Sequence, residues 1–417
     1  MQEVIMQEVQ ENQEKEKMMK LIYEVQDHFI NDSKDSKLMV KLHTDYENEA
    51  TKQEILKAAR REFSLRKVPA EQMELYIHMF EEYMWRYYVI EPLINDDNIT
   101  DINLYNEEHV TVLTGDNKRY VTDVKFHDRS DYLRFIRVTA LKNEVNLSNI
   151  NAQQVFVDAT SNEKYKMRID ISTELINCSG SPYMHIRKNP KQKYQTEDLV
   201  YMGTMSEAEM DYIIRRFNEG TGMLIVGEGN SGKSTLLNAL LDKADHNKKI
   251  LVTQESDGEL FTDSKNGGHP DILFQHLIQN RGEGGVNYLL GDLIEKGLVS
   301  DFNMFIIGEV KDNLSASKLL NASFTGAQAV TTLPGPDEFA GIEKMADYVC
   351  QGTGYRYAEA LKLLRTFETI VFMKKRKLAG IAEIKGWDYK NERLLIEPAD
   401  IMKGNLSDFL LAVEGWR

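Results

Sequence analysis

The sequence predicts an α/β protein in three parts. These are a helical N-terminal segment (residues 1–88), an α+β unit with its linker (89–196) and a C-terminal domain built on a mainly parallel sheet (197–417). Three observations carry this prediction. Apolar residues recur at helical spacing near the N-terminus, they alternate with polar residues in the middle of the chain, and continuous apolar runs alternate with helical runs in the C-terminal half.

The N-terminal segment carries three apolar stripes at helical spacing, over residues 21–29, 55–63 and 73–87. A polar break at residues 31–36 separates the first two. The third stripe is rich in methionine and aromatic side chains, which either pack in a core or bind a partner helix, and core packing is the commoner use. Roughly the first 15 residues are rich in Glu, Gln and Lys and are expected to be disordered or coiled.

The middle of the chain is predicted to form a sheet with one helix. The helix is expected at residues 131–138. Residues 187–193 are basic and contain a proline, so a linker is expected there. Short strands are predicted from the alternation of apolar and polar residues at 99–104, 109–113, 119–124, 154–157, 166–169 and 183–186.

In the C-terminal domain, strands that alternate with helices indicate a parallel sheet covered on both faces. Ser206 and Glu209 form a capping-box pattern that opens a helix. The glycine-rich residues 267–285 are expected to form a mobile surface loop. An edge hairpin is expected around the basic residues 374–377, between strands at 368–373 and 381–384. The other strands are predicted at 223–226, 249–253, 302–307 and 327–333.

One motif stands between the first of these strands and a helix. Residues 227–235 read Gly-Glu-Gly-Asn-Ser-Gly-Lys-Ser-Thr and match G-x-x-x-x-G-K-[ST] without a mismatch. Its glycines allow backbone N–H groups to bind phosphate at a helix N-terminus. Lys233 is predicted to reach the β- and γ-phosphates, and Ser234 to ligate Mg²⁺. The predicted ATP-binding residues are Gly227, Glu228, Gly229, Asn230, Ser231, Gly232, Lys233, Ser234 and Thr235.

Composition narrows the classes of partner. The chain has 51 basic and 66 acidic residues and a net charge of −15, which argues against a dedicated nucleic-acid or anionic-lipid binder. Its two cysteines, Cys178 and Cys350, lack metal-ligand spacing, and a reduced cytosolic setting fits them. The N-terminus lacks the apolar core of a secretory signal, and no apolar run is long enough to span a bilayer.

Hydrolysis of a nucleotide needs a carboxylate that activates or orients water. Glu255 and Glu259 follow one apolar strand, and Glu309 ends another. Carboxylates at the carboxyl ends of strands beside a phosphate-binding loop lie in the crevice where such sheets bind ligands. These three glutamates are therefore the predicted catalytic residues.

Taken in order, several motifs resemble the secretion-ATPase superfamily, which powers type II and type IV secretion and Tad/Flp or type IV pilus assembly. The resemblance covers about residues 89–400 and is strongest to the conjugation and Tad-like branch. Besides the phosphate-binding loop, the matching residues are 91–94 with 99–102, Arg168, 185–188 with Arg187, 199–206, 254–260 (the acidic box), 307–310 (the Walker B glutamate) and 331–332 (the "TT" of the histidine box).

The resemblance implies a PAS-like α+β N-terminal domain and a RecA-like motor domain with ATP between them, and it assigns Arg168 and Arg187 to nucleotide binding. It implies a hexameric ring that couples ATP hydrolysis to protein translocation or pilus assembly. An integral membrane platform protein would hold the ring at the inner face of the membrane, on the cytoplasmic side. No direct nucleic-acid partner is expected, and the helical segment 1–88 is the predicted docking surface.

The sequence departs from the family at three places. Gly326 and Pro334 stand in place of its histidines, residues 289–304 lack its arginines, and Lys311 replaces the arginine after the Walker B glutamate. Lysine keeps the charge but loses the bidentate fork, and Arg281 is a candidate substitute. Two hypotheses stay open: a motor ATPase, and a regulatory or assembly subunit that binds ATP with little or no hydrolysis. A DNA-acting ATPase fits less well because the chain is acidic and has no basic stripe interleaved with aromatic residues.

Overall fold

The computed structural model describes residues 17–29, 49–143, 145–220, 222–256, 258–262, 268–279 and 287–402. The chain divides into two compact units, Met1–Lys191 and Gln192–Arg417. The expectation for the first 15 residues and the candidate Arg281 lie outside the described residues.

The first unit begins with three helices: α1 (residues 17–29), α2 (Glu49–Leu65) and α3 (Met73–Trp85). The apolar stripes predicted from the sequence face one another and form a core. Phe29, Phe63 and Phe80 are fully buried there, with the ring of Phe80 packed against the other two. The methionine and aromatic side chains of these stripes therefore pack within the unit. A partner of this segment would have to contact other residues than those the sequence suggested.

A six-stranded antiparallel sheet follows, in the order β3-β2-β1-β6-β5-β4. Its strands are β1 (Ile99–Leu104), β2 (Val110–Thr114), β3 (Arg119–Val121), β4 (Gln153–Asp158), β5 (Tyr165–Ser172) and β6 (Tyr183–Pro190). The short helix α4 (Glu91–Asn95) precedes the sheet, and α5 (Arg129–Lys142) packs its apolar side chains on it. The side chain of Asp128 caps α5 by accepting from the N–H of Asp131.

The predicted linker at residues 187–193 is largely wrong. Strand β6 continues through Pro190 and pairs with β5, so that Arg187 lies opposite Arg168. Side chains still alternate between the two faces of the strand in this segment: Ile186 and Lys188 are buried, and Arg187 is exposed. The basic character of the segment therefore belongs to one face of a strand, and the boundary between the two units falls after Lys191.

Tyrosine hydroxyls join the helical segment to the sheet domain within the first unit. The hydroxyl of Tyr87 donates to Asp158 Oδ2 at 2.9 Å, and that of Tyr88 donates to Asp131 Oδ2 at 3.3 Å. Tyr23 of α1 also bonds to Asp131. Because these bonds are buried or half-buried, the helices and the sheet form one unit.

The second unit is an eight-stranded sheet in the order β16-β15-β14-β7-β13-β12-β8-β9. The six strands from β14 to β9 are parallel, and β15 and β16 are antiparallel. Its strands are β7 (Met223–Gly227), β8 (Ile250–Gln254), β9 (Ile272–His276), β12 (Met304–Ile307), β13 (Gln328–Pro334), β14 (Thr369–Lys374), β15 (Lys377–Asp388) and β16 (Arg393–Pro398); β10 (Ile278–Gln279) and β11 (Asn287–Tyr288) form a separate small hairpin.

Helices cover both faces of this sheet, as its apolar strands predict. Along β7, Met223 and Ile225 enter one core, while Leu224 and Val226 enter the other. The helices are α6 (Thr196–Tyr201), α7 (Glu207–Asn218), α8 (Lys233–Leu241), α9 (Leu290–Gly297), α10 (Asn313–Phe324), α11 (Glu338–Thr353) and α12 (Tyr357–Leu363). Ser206 and Glu209 form the capping box predicted for α7.

Two expectations for this unit are wrong. The loop expected at residues 267–285 is wrong for residues 272–276, which form the edge strand β9 because Ile272 and Phe274 pack on the core and pair with β8; Gly267 and residues 280–285 lie outside the described residues. The hairpin around residues 374–377 is also not at the edge: β14 pairs with β7, and β16 covers β15. Among the described residues, no helix has the length and apolarity needed to cross a bilayer.

Candidate functional site

The motif at residues 227–235 forms the loop between β7 and α8. Gly232 caps the helix with φ +98°, a backbone conformation that favours glycine. A Cβ atom on Gly227 would lie 2.2 Å from the carbonyl oxygen of Met373 and 2.6 Å from Ser231 Oγ. Asn230, with φ +61°, is one of the residue types that tolerate this region. The loop is therefore held in a shape that only these small or permissive residues allow.

Lys233 lies inside this loop. Its side chain is buried, and Nζ donates to the carbonyl oxygens of Gly227 and Glu228, each at 2.8 Å. Burial lowers the pKa of Lys233, and the negative charge of Glu309 opposes that change. The ammonium thus braces the loop and lies within the electrostatic reach of the carboxylate expected to act with it.

Ser231 supplies a second polar group. Its hydroxyl is buried and has no hydrogen-bond partner among the described residues. A loop with N–H groups at a helix N-terminus, a buried ammonium and an unpaired hydroxyl fits the phosphate chain of a nucleotide. Ser234 stands in the first turn of α8, where the motif predicts the Mg²⁺ ligand.

Glu255 and Glu309 lie at the same edge of the sheet because their strands are neighbours in register. Thr253 of β8 pairs with Ile307 of β12, and each glutamate lies two residues beyond its strand's member of that pair. The ammonium of Lys311 joins them, with Nζ 2.9 Å from Glu255 Oε1 and 2.9 Å from Glu309 Oε2. Burial would lower the pKa of Lys311, but the bonds to Glu309 and Glu255 outweigh it and raise the pKa.

Glu259 is held differently. Its carbonyl oxygen accepts from Asn238 Nδ2 of α8 at 3.5 Å, and the next residue, Leu260, is buried and donates its N–H to Gln254 Oε1. The loop after β8 is thus packed against the helix that follows the phosphate-binding loop. A catalytic role for the Glu259 side chain stays a prediction.

The two threonines at 331–332 support the strand end that carries Glu309. The hydroxyl of Thr331 donates to Ile307 O at 2.8 Å, and that of Thr332 donates to Gly308 O at 2.7 Å. The N–H of Val310 donates to Thr332 O at 3.1 Å. All three bonds are oriented to fix the backbone on both sides of Glu309.

The basic turn at residues 374–377 contacts the phosphate-binding loop, a contact that sequence reasoning missed. The N–H of Arg376 donates to Ser231 O at 3.1 Å, and its guanidinium donates to Asn230 Oδ1 at 3.3 Å. Four consecutive basic residues in an acidic chain were a visible signal. Their contact with the phosphate-binding loop could not be read from the sequence, because it depends on the pairing of β14 with β7.

Arg168 and Arg187 lie side by side on β5 and β6 of the first unit. The guanidinium of Arg187 donates from Nε to Asp101 Oδ1 at 3.0 Å, and His185 Nε2 lies 3.0 Å from the same oxygen. Burial would raise the pKa of Asp101, but His185 and Arg187 hold it well below its usual range. A role of the two arginines in nucleotide binding stays a prediction.

Comparison with known proteins gives one family and a shared fold. The family model described as "Type II/IV secretion system protein" matches residues 90–367. The uncharacterized protein MJ0900 of Methanocaldococcus jannaschii is 24% identical over 280 residues, which are 67% of this chain and 48% of that protein. This chain therefore spans about half the length of the curated relative it matches.

Two solved structures share the fold. The Legionella pneumophila ATPase DotB has a TM-score of 0.52 at 14% identity, over 79% of this chain and 86% of that chain. The pilus retraction motor PilT with bound ADP has a TM-score of 0.51 at 16% identity, over 79% of this chain and 89% of that chain. At these identities the likeness concerns the fold alone. It confirms the α/β prediction with a RecA-like domain.

Proposed function

This chain belongs to the type II/IV secretion system protein family, and we propose that it binds Mg²⁺ and ATP and works as the motor ATPase of a secretion, conjugation or pilus-assembly machine. The proposal rests on one observation: three strands end at the same edge of the sheet, and each is followed by residues of the site. Strand β7 brings the phosphate-binding loop, β12 brings Glu309, and β8 brings Glu255.

The residues of this edge divide the work of hydrolysis. The loop from Gly227 to Gly232 binds phosphate oxygens through its backbone N–H groups, and Lys233 transfers its bonds from the loop carbonyls to the phosphates. Glu309 orients or deprotonates the attacking water, and Glu255 polarises it or helps to organise the metal. Mg²⁺, held by Ser234, supplies positive charge to the β- and γ-phosphates when bound.

Membership of the family extends the proposal to the first unit and to the assembly of the chain. Within this proposal, Arg168 and Arg187 of the first unit take part in nucleotide binding. The chain would then form a hexameric ring in the cytoplasm, held at the inner face of the membrane by an integral membrane platform protein. Coupling of hydrolysis to translocation or pilus assembly belongs to the same proposal.

A second candidate function rests on one observation. Lys311 pairs with one oxygen of Glu255 and one oxygen of Glu309, at the position where the family's motif has an arginine. Residues 289–304 contain no arginine, and Gly326 and Pro334 stand in place of the family's histidines. The alternative is a regulatory or assembly subunit that binds ATP and hydrolyses it slowly or not at all.

A steady-state ATPase assay, run together with calorimetry of MgATP binding and with light scattering with and without MgATP, tests both candidates. The motor proposal expects turnover and an ATP-dependent ring. Binding of ATP without turnover would support the regulatory alternative, and a strictly monomeric profile at micromolar concentration would contradict the ring. Absence of ATP binding would overturn both.

A further inference from the structure

The turn between β14 and β15 lies directly against the phosphate-binding loop. Strand β14 runs parallel to β7, with Met373 opposite Gly227, so both strands deliver their next residues to the same place. The turn then reverses the chain through Lys375 and Arg376, which have φ +49° and +64°. Lys374, Lys375, Arg376 and Lys377 are all exposed.

The contact between turn and loop involves backbone as well as side chains. The N–H of Arg376 donates to Ser231 O at 3.1 Å, and its guanidinium reaches Asn230 Oδ1 at 3.3 Å. A Cβ on Gly232 would lie 3.6 Å from the Cα of Arg376 and 3.5 Å from Met373 Cε. The position of the turn is thus tied to the residues that would surround a phosphate chain.

The cations already assigned to the site are engaged by the protein itself. Lys233 donates to two loop carbonyls, and Lys311 is held by Glu255 and Glu309. The Arg376 guanidinium, in contrast, is bonded to the neutral amide of Asn230 and lies at the exposed rim of the loop. A guanidinium gains by exchanging a neutral acceptor for a phosphate group, because the phosphate carries negative charge and can accept two parallel N–H bonds.

A second, independent observation points to a ligand at this place. The buried Ser231 hydroxyl has no partner among the described residues, and Ser231 is the residue whose carbonyl the turn binds. An unsatisfied buried hydroxyl costs free energy unless a ligand or water completes it. The unpaired hydroxyl and the carbonyl that the basic turn binds therefore belong to the same residue of the loop.

We propose that residues 374–377 form a second cationic wall of the phosphate site, and that Arg376 binds the phosphate chain of the nucleotide. This inference rests on the proposed function and adds a binding residue from a separate strand pair. In this arrangement the turn supplies a guanidinium, which residues 289–304 lack because they contain no arginine. The ligand class is a polyphosphate, carried either by a nucleoside or as a free anion.

The test compares MgATP with inorganic tripolyphosphate by calorimetry on the full chain. Arg376→Gln removes the charge, Arg376→Asn removes it with a residue that tolerates a left-handed backbone, and Arg376→Lys keeps the charge without the fork. The matched control is Lys390→Gln, an exposed cation in the next turn of the same sheet. Thermal unfolding confirms that each variant is folded.

We expect both neutral variants to bind MgATP and tripolyphosphate about tenfold more weakly, the loss of one charge-assisted bond. Arg376→Lys should lose less, and Lys390→Gln should match the parent chain. Unchanged MgATP affinity in folded neutral variants would overturn the inference and leave the proposed function standing. A loss with MgATP but not with tripolyphosphate would overturn it too, since Arg376 would then contact the base or sugar. If the parent chain binds neither ligand, the proposed function falls with it.

Discussion

The ammonium of Lys311 lies 2.9 Å from a carboxylate oxygen of Glu309, and the same ammonium lies 2.9 Å from Glu255. One cation therefore holds two of the three carboxylates predicted to act in hydrolysis. The Lys311 side chain is about half exposed, so each pair contributes less than about 1 kcal/mol to folding. Its importance is positional, since it keeps two like charges at a fixed place beside the phosphate-binding loop.

Replacing Lys311 tests this positioning. Lys311→Met should lower ATP turnover by at least about tenfold while MgATP still binds, because two uncompensated carboxylates repel each other and lose their geometry. Lys311→Arg should keep or raise the turnover of the parent chain, since its fork can hold both acids. Lys318→Met is the control, because Lys318 pairs with Glu295 at 2.6 Å elsewhere in the same unit. Equal turnover in Lys311→Met and the control would contradict the positioning role.

Glu309→Gln should bind MgATP within about threefold of the parent chain and lose turnover by about 10²–10⁴, the usual contribution of a general base. The amide keeps the size of the side chain and removes its capacity to accept a proton. Glu295→Gln serves as the control, because Glu295 also pairs with a lysine at the surface of this unit. Single-turnover kinetics measures the change. Hydrolysis by Glu309→Gln at the parent rate would show that the role is wrongly assigned.

Lys233→Ala should leave a folded chain that binds MgATP at least about a hundredfold more weakly, because the ammonium is the charge expected on the β- and γ-phosphates. Some loss of thermal stability is expected, since two loop carbonyls lose their donor. Lys243→Ala is a matched control just beyond the other end of α8, where Lys243 pairs with Glu197. Calorimetry on both variants decides the point, and unchanged affinity in folded Lys233→Ala would refute it.

The apolar face of helix α3 should contribute to folding stability as part of a hydrophobic core. Phe80→Ala is expected to lower the free energy of unfolding by about 3–5 kcal/mol, because the side chain is fully buried among other aromatic rings. Leu75→Ala on the same helix should change it by less than about 0.5 kcal/mol, because Leu75 is 51% exposed. Urea unfolding followed by circular dichroism measures both. Similar small losses in the two variants would restore the docking interpretation of the stripe.

Lys188 should make stability depend on pH. Burial lowers its pKa to about 8, against the weaker opposing charges of Asp97 and Asp96. Between that value and its unfolded value near 10.4, only the unfolded chain keeps the proton, so this contribution to stability rises with pH. The stability of Lys188→Met relative to the parent chain should thus fall by about 1 kcal/mol from pH 7.5 to 9.5, within the limit of 1.36 kcal/mol per pH unit. Lys118→Met is the control: the bond to Asp116 raises the pKa of Lys118 instead, so the relative stability of this variant should not fall over the same range.

Much of the second unit could be predicted because its signals are local. The motif at 227–235 requires a strand before it and a helix after it, and the structure has β7 and α8 there. Glu255 and Glu309 could be assigned to one sheet edge because parallel strands present their carboxyl ends together. The β9 strand was missed because its short apolar run stands between glycines at 267–268 and 282–285, and glycines favour loops when only neighbours in sequence are considered.

The sequence by itself determined the α/β class, the phosphate-binding loop and the acids that accompany it, because each depends on residue type and spacing within a short stretch. Tertiary structure decided which side chains contact one another. The order of strands joined Arg376 to Asn230, the loop after β12 laid Lys311 between two glutamates, and packing turned the stripe around Phe80 into a core. Such pairings join residues far apart in the chain, and their free energy depends on distances that only the folded sheet establishes.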